Sequence, residues 1–200
     1  MLHDKLIKRE DIRAVFNALA VAYEQIGGNQ RKDIYLVGGS AIILEFNYRF
    51  ATVDIDAYFN DDEKLTYAIE KVSLELNLPK DWLNHDFVLT PSYSPQIIEK
   101  AELFSQFGKY IYVYSLNHKY LIAMKLKSSR PTGGDLDDII KMIYELRYKK
   151  IDITYEEIIN AYKDLYPDFS NTYDFFLEKA KEAFSTPIED FKYLFETNIE

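Results

Sequence analysis

Apolar residues at positions 12, 15, 16, 19, 20 and 23 recur every three or four residues, which predicts an amphipathic helix over 10–26 that Gly27-Gly28 stops. The run Ile34-Tyr35-Leu36-Val37 is short, continuously apolar and cut off by Gly38-Gly39, so it reads as a buried strand. Ser40 is then placed to cap a helix over 41–47. Strict alternation over 53–59 marks a second strand, and Asp61 or Asp62 caps a helix over 63–76 that Pro79 closes. Further on, 81–84 reads as a turn, 87–89 as a brief strand and 110–114 as a strand rich in β-branched and aromatic residues, while 91–108 fits no single period. From there the period is helical throughout: 117–129, 135–148, 154–165, 171–184 and a short segment after Pro187.

Strands alternating with helices, followed by helices alone, predict an α/β (α+β) fold with a small mixed sheet flanked by helices. A core over 1–150 and a C-terminal helical extension over 151–200 packed on it are expected. The loop Pro131-Thr132-Gly133-Gly134 has candidate site residues on both sides and reads as a site loop rather than a linker. With 200 residues, 48% hydrophobic and 16% aromatic, the chain holds enough apolar mass for a sizeable core. Its 24 Lys and Arg against 33 Asp and Glu, a formal charge of -9, argue against a broad basic coat for nucleic acid.

The absence of cysteine excludes disulfides, thiolate catalysis and cysteine-ligated metals. His3, His85 and His118 are too scattered to suggest a histidine metal site. The first ten residues are too charged for a secretory signal, and no run approaches the ~18 apolar residues of a membrane span. A soluble, cytoplasmic protein without membrane association is expected.

Gly38-Gly39-Ser40, between strand and helix, is either an ordinary turn or a cradle where backbone amides meet an anion. Asp54 and Asp56 lie two apart in the alternating segment and should share one face. Two like charges there are either solvated on an edge strand or gathered about a cation, and magnesium (or manganese) suits a carboxylate pair completed by phosphate and water. Cradle and carboxylate pair together describe a nucleoside triphosphate site. Lys125 interrupts an apolar helical run and needs a partner or a ligand, while Asp135 and Asp138 share a face of the next helix. An internal ion pair between the two helices is the plainer reading of Lys125.

Gly-Gly-Ser, thirteen residues, then Asp-Ile-Asp resembles the signature of the DNA polymerase β-type, or minimal, nucleotidyltransferase superfamily. Arg49, Thr52, Asp54 and Asp56 match the Arg-x-x-Thr-x-Asp-x-Asp form of its AbiEii-like branch. Asp81-Trp82-Leu83-Asn84, the run 120–126, Arg130 and Asp135-Leu136-Asp137-Asp138-Ile139 extend the likeness over about 10–170. The resemblance implies a nucleotidyltransferase fold and magnesium-dependent transfer of a nucleoside monophosphate from a nucleoside triphosphate to an acceptor. That acceptor would be RNA, such as a tRNA 3′ end, or a protein hydroxyl. A toxin–antitoxin or phage-defence setting with a cognate antitoxin or toxin partner is also implied.

By the same resemblance Asp54 and Asp56 would bind metal. Gly38, Gly39, Ser40, Arg49, Thr52 and Arg130 would bind the nucleotide, and Lys125 and Asp138 would join Asp54 and Asp56 as catalytic residues. One departure stands out: many members carry a third carboxylate on a neighbouring strand, and 110–114 holds none, leaving Asp86 as the nearby acid. The general base then falls to Asp138 or Asp56, or is missing, and a catalytically silent nucleotide-binding or regulatory partner is the alternative. A transferase acting on small molecules, of the antibiotic-modifying kind, is a third reading. The aromatic tail (Tyr162, Tyr166, Phe169, Tyr173, Phe175, Phe176, Phe184, Phe191, Tyr193, Phe195) reads mainly as core. Lys141, Arg147, Lys149 and Lys150 form a basic cluster, a solvated face or an RNA contact.

Overall fold

Two short apolar runs that cannot satisfy their backbone alone, 34–36 and 111–116, pair in parallel and form the centre of a sheet. The structure, a computed structural model, describes residues 6–60, 62–130, 132–167 and 174–191. In chain order they form β1 (Ile7–Lys8), α1 (Arg9–Gln25), β2 (Lys32–Leu36), α2 (Gly38–Glu45), β3 (Ala51–Thr52), β4 (Ile55–Tyr58), α3 (Glu63–Leu76) and β5 (Leu83–Asn84). After a 3₁₀ turn (Asp86–Leu89) follow α4 (Ile97–Lys100), β6 (Ala101–Phe107), β7 (Ile111–Leu116), α5 (His118–Ser128), α6 (Asp135–Tyr148), α7 (Tyr155–Leu165), α8 (Asp174–Ser185) and a second 3₁₀ turn (Ile188–Phe191).

The main sheet runs β5-β4-β2-β7-β6, and β1 and β3 form a separate antiparallel ribbon. β2 pairs in parallel with β7 and antiparallel with β4; β5 runs parallel to β4, and β6 antiparallel to β7. Alternation gives the sheet two unlike faces. Ile34, Leu36, Ile55, Ala57, Ile111 and Val113 have no exposed surface and share a core with Ile12, Phe16 and Leu19 of α1 and Leu65, Ala68 and Val72 of α3. Tyr35, Tyr58, Tyr112, Tyr114 and Asp56, on the other phase, are half-buried. Beyond the sheet, α2 packs on α5, α6 and α7 pack on α5, and α8 packs on α6. The fold is therefore mixed α/β, a five-stranded sheet flanked by helices, as the element order predicts. No helix among the described residues is long and apolar enough to cross a membrane.

Four local expectations are corrected. The strand expected over 53–59 begins only at Ile55, because the chain first pairs in the β1/β3 ribbon and bends through Val53 and Asp54 before joining the sheet. Residues 87–89 form part of a 3₁₀ turn, closed by the Val88 and Thr90 amides donating to the His85 and Phe87 carbonyls. The preceding 83–84, read as a turn, is a strand. The unassigned stretch ends in β6, an exposed edge strand whose register shifts between Leu103 and Ser105; that bulge breaks the period of two. Asp62 caps α3 by accepting from the Leu65 amide, and Asn77 in a left-handed conformation ends it ahead of Pro79. Asp61, His3, Pro131, Phe169, Tyr173, Tyr193, Phe195 and the expected helix start at 171–173 lie outside the described residues.

Trp82 ties β5 into this frame. Its ring is buried, its Nε1 donates to the Ile69 carbonyl of α3 (3.0 Å), and its carbonyl accepts from the Ile55 amide (2.6 Å). Trp82→Phe removes buried volume and leaves the Ile69 carbonyl without that donor. It should cost about 2 kcal/mol of unfolding free energy, read as a lower urea midpoint at unchanged slope.

Candidate active site

Gly38 opens α2 at a left-handed φ of +56°, and a Cβ there would stand 3.0 Å from Asp56 Oδ2. A Cβ on Gly39 would meet the Arg49 guanidinium at 3.0 to 3.1 Å and Thr52 Oγ1 at 3.1 Å. Both glycines thus permit close approach: the first of a carboxylate, the second of an arginine and a threonine. Ser40 does not cap the helix. Val37 occupies the N-cap, and the fully buried Ser40 hydroxyl donates inward to the Val37 carbonyl (2.8 Å) and lies 3.2 Å from the Asp56 carbonyl. What the glycine turn can offer an anion is therefore its first-turn backbone amides, which have no partner within the helix. Thr52 is buried in β3 behind Gly39.

Asp56 sits in β4 and Asp54 in the bend before it. Burial, then the neighbouring Asp54 and Asp86 carboxylates, push the Asp56 carboxyl up to about 6, against the opposing pull of Arg130 and Arg49. Beside them β5 presents Asn84, which pairs in register with Asp56; its Nδ2 lies 3.3 Å from Asp54 Oδ2, and its Oδ1 accepts from the Asp86 amide (3.0 Å). β5, the strand next to the carboxylate pair, thus carries an amide, while the stretch 110–114 that holds no acid belongs to β7, separated from β4 by β2.

Lys125 meets two carboxylates of α6, Asp135 Oδ1 at 2.9 Å and Asp138 Oδ2 at 2.7 Å. Asp135 has no exposed surface and also takes the Arg130 Nε, Nη2 and backbone amide, each at 3.0 Å. Burial opposes its charge, yet Arg130 and Lys125 hold its carboxyl well below the usual carboxylate range. Asp138 Oδ1 accepts from the Tyr48 hydroxyl (3.0 Å), and Oδ2 lies 3.8 Å from Arg49 Nη1. Burial first and Asp138 second raise the Tyr48 hydroxyl far above its ordinary value, so it stays a donor. A pocket of about 310 Å³ opens between these groups, lined by Gly38, Asp56, Asp86, Lys125 and Arg130 on the polar side and by Phe87, Leu121 and Met124 on the apolar side.

Residues 13–184 match a family described as a nucleotidyltransferase of unknown function (DUF6036). The chain belongs to this nucleotidyltransferase family. No curated protein and no solved structure matches it.

In this DUF6036 nucleotidyltransferase the structure brings Gly38, Asp56, Lys125 and Arg130 to one pocket, with Asp54 beside Asp56, Asp138 on Lys125, and Arg49 between Asp138 and Gly39. The Ser40 hydroxyl is turned away from this pocket. Sequence reasoning had named Asp135 only as an ion-pair partner, and it missed Tyr48, Asn84 and Glu145. Glu145 shares a face of α6 with Asp138, two turns on, and this spacing was the one available signal. Nearly fully buried, its carboxylate accepts the Asn47 amide (2.6 and 2.8 Å) and the Tyr48 amide (3.0 Å). From the other side Arg9 donates to the Ile43 and Phe46 carbonyls and to Asn47 Oδ1. The loop that presents Tyr48 and Arg49 is thus held at both flanks.

The basic cluster at 141–150 is largely spent internally: Lys141 pairs with Asp137, Lys149 with Glu145, and Arg147 donates to the Ala183 and Thr186 carbonyls. Among the described residues no three His, Asp or Glu converge on a point that could hold a metal. A magnesium ion would find two carboxylates, and that open donor set suits an ion which keeps its other positions for water and substrate phosphate.

Two outcomes follow. Asp135→Ala removes the anion shared by Lys125 and Arg130 and should lower stability by about 3 kcal/mol, a fall of roughly 10 °C in Tm by calorimetry. Asp56 binds its proton more tightly folded (about 6) than at its ordinary value of 3.8, so this proton's contribution to stability is full below about pH 4 and is lost as pH rises through 6. In chelator, Asp56→Asn should therefore be more stable than the parent at pH 7 by roughly 1 to 2 kcal/mol, and the gap should close towards pH 4.

Proposed function

We propose that the chain is a divalent-metal-dependent enzyme of the AbiEii-like kind that moves a nucleoside monophosphate from a nucleoside triphosphate to an acceptor hydroxyl. The observation that carries this reading is the meeting of Asp56, Gly38 and Lys125 at one pocket, with Asp54 beside Asp56, in a chain of a nucleotidyltransferase family. Asp54 and Asp56 would hold magnesium or manganese, which supplies positive charge against the triphosphate and the departing pyrophosphate.

The chain's own groups do the rest. First-turn amides of α2 bind phosphate oxygens. Lys125 exchanges its contact with Asp138 for a phosphate oxygen while Asp135 keeps it in place. Arg130, held by three hydrogen bonds to Asp135, faces the pocket as a fixed charge. Asp138, freed of Lys125 but still oriented by Tyr48, takes the proton of the attacking hydroxyl; the new bond forms at the α-phosphorus as the bond to pyrophosphate breaks.

The five carboxylates Asp54, Asp56, Asp86, Asp135 and Asp138 outweigh the three cations Arg49, Lys125 and Arg130, so the cleft is anionic by itself. A triphosphate should bind at least ~10-fold more weakly in chelator than with magnesium by calorimetric titration.

A second reading draws on Asn84. An amide beside Asp56 in β5, together with the absence of an acid over 110–114, favours a module that binds nucleotide without turnover. The deciding experiment incubates the protein with each α-labelled nucleoside triphosphate, magnesium or manganese, and total cellular RNA and protein. Label moving to one macromolecular class in wild type and not in Asp54→Ala/Asp56→Ala establishes transfer. Magnesium-dependent nucleotide binding without transfer selects the second reading. Asp138→Asn should lower the transfer rate at least ~100-fold while changing nucleotide affinity far less.

A further inference from the structure

Cations in this protein fall into two groups by how completely they are partnered. Lys125 is paired closely with Asp135 and Asp138, and Arg130 with Asp135. Around the β1/β3 ribbon the situation differs. A groove of about 470 Å³ is lined by Lys8, Arg9, Glu10, Asn47, Arg49 and Phe50. Three of these six residues are cationic and one is anionic, in a chain whose formal charge is -9.

None of the three is held tightly by a carboxylate among the described residues. The Lys8 ammonium reaches Glu10 only at 4.0 Å with both side chains well exposed. Arg49 stands 3.8 Å from Asp138. Arg9 donates to two carbonyls and an amide oxygen, which commits three of its five N–H groups. Glu45, whose carboxyl is raised by burial and then by Glu102, feels the opposing pull of Lys149 and Arg9. Phe50, whose amide neighbours continue into β3, leaves 63% of its surface exposed at the same groove. A loosely paired cation cluster beside an uncovered aromatic ring suits a phosphate group carrying a planar ring.

Position supplies the second half of the argument. Arg49 lines the groove and also lies against Gly39 and Asp138, and Asp138 in turn pairs with Lys125 of the pocket, so a short chain of contacts links groove and pocket. The pocket lined by Asp56 and Lys125 shares no lining residue with this groove and has its own cations, Lys125 and Arg130. An acceptor entering along the groove would bring a hydroxyl towards Asp138 while a phosphate of the same molecule rested on Lys8, Arg9 and Arg49.

We propose that this groove is the acceptor site and that it selects an acceptor bearing a phosphate next to a nucleobase-like ring, with Lys8, Arg9 and Arg49 binding the phosphate and Phe50 stacking on the ring. The proposal rests on the reading of the adjoining cleft as a transferase centre, and its test is separable from that reading.

The probes are a short single-stranded oligoribonucleotide with a fluorescent 5′ label, a nucleoside 5′-monophosphate, and the corresponding nucleoside without phosphate. Each is titrated without donor nucleotide, by fluorescence anisotropy for the oligonucleotide and by calorimetry for the small probes. Magnesium-nucleotide binding is measured in parallel by thermal stabilisation. The variants are Lys8→Glu and Phe50→Ala, both at exposed side chains; Arg9 is avoided because it also fastens the end of α2.

Binding of a phosphate-bearing probe, weakened about tenfold in each variant with donor binding unchanged, supports the site. Salt-sensitive preference for the oligonucleotide then identifies a polynucleotide source, and equal affinity for the monophosphate a small-molecule source. Equal binding of the bare nucleoside, or affinity for a phosphate-bearing probe that neither variant changes, overturns it. Loss of donor binding in the wild type would count against the transferase reading alone, since the acceptor titrations contain no donor.

Discussion

A single carboxylate without exposed surface organises one wall of the cleft in this molecule. Asp135 accepts four hydrogen bonds from two cations and a backbone amide, and through them it fixes both the end of α5 and the loop into α6. A charge so deeply placed is tolerable only because it is fully partnered. Lys125 and Arg130 gain by it a defined direction at low entropy cost, and Lys125 then spans to Asp138. Remove the partnership and two cations lose their aim at the cleft together.

The opposite wall depends on a different device, a loop without regular structure held by charged groups far away in sequence. Arg9 and Glu145, 136 positions apart, satisfy the carbonyls and amides of residues 43–48 from two sides. Backbone polar groups of a connecting segment are usually left to water. Here they are bound by side chains, and Tyr48 and Arg49 meet Asp138 in consequence.

Much of this was legible because it follows from period and punctuation. Helical spacing located α1, α3 and α5 to α7 closely, and the paired glycines with the Asp54/Asp56 spacing located the cleft. The lost elements have physical reasons. β6 lies at an edge with a bulge, so its exposed and buried positions do not alternate. β5 contains two residues and exists because β4 offers it a free edge. The role given to the Ser40 side chain failed since a serine after a glycine turn fits both a cap and an inward bond, and only the neighbouring Asp56 carbonyl decides between them. Glu145, Asn84 and Tyr48 act through contacts nearly 100 or 30 positions distant, which no local pattern encodes.

The long span between Arg9 and Glu145 has a consequence for the chain as it is made. β2 lacks its central partner until β7 has been synthesised, and the loop bearing Arg49 lacks one of its two anchors until α6 has emerged. Glycine turn and carboxylate pair are translated well before Glu145, and until it emerges they wait without a firmly held Arg49 beside them. The cleft is therefore completed late, a built-in delay between the making of its first residues and its finished geometry.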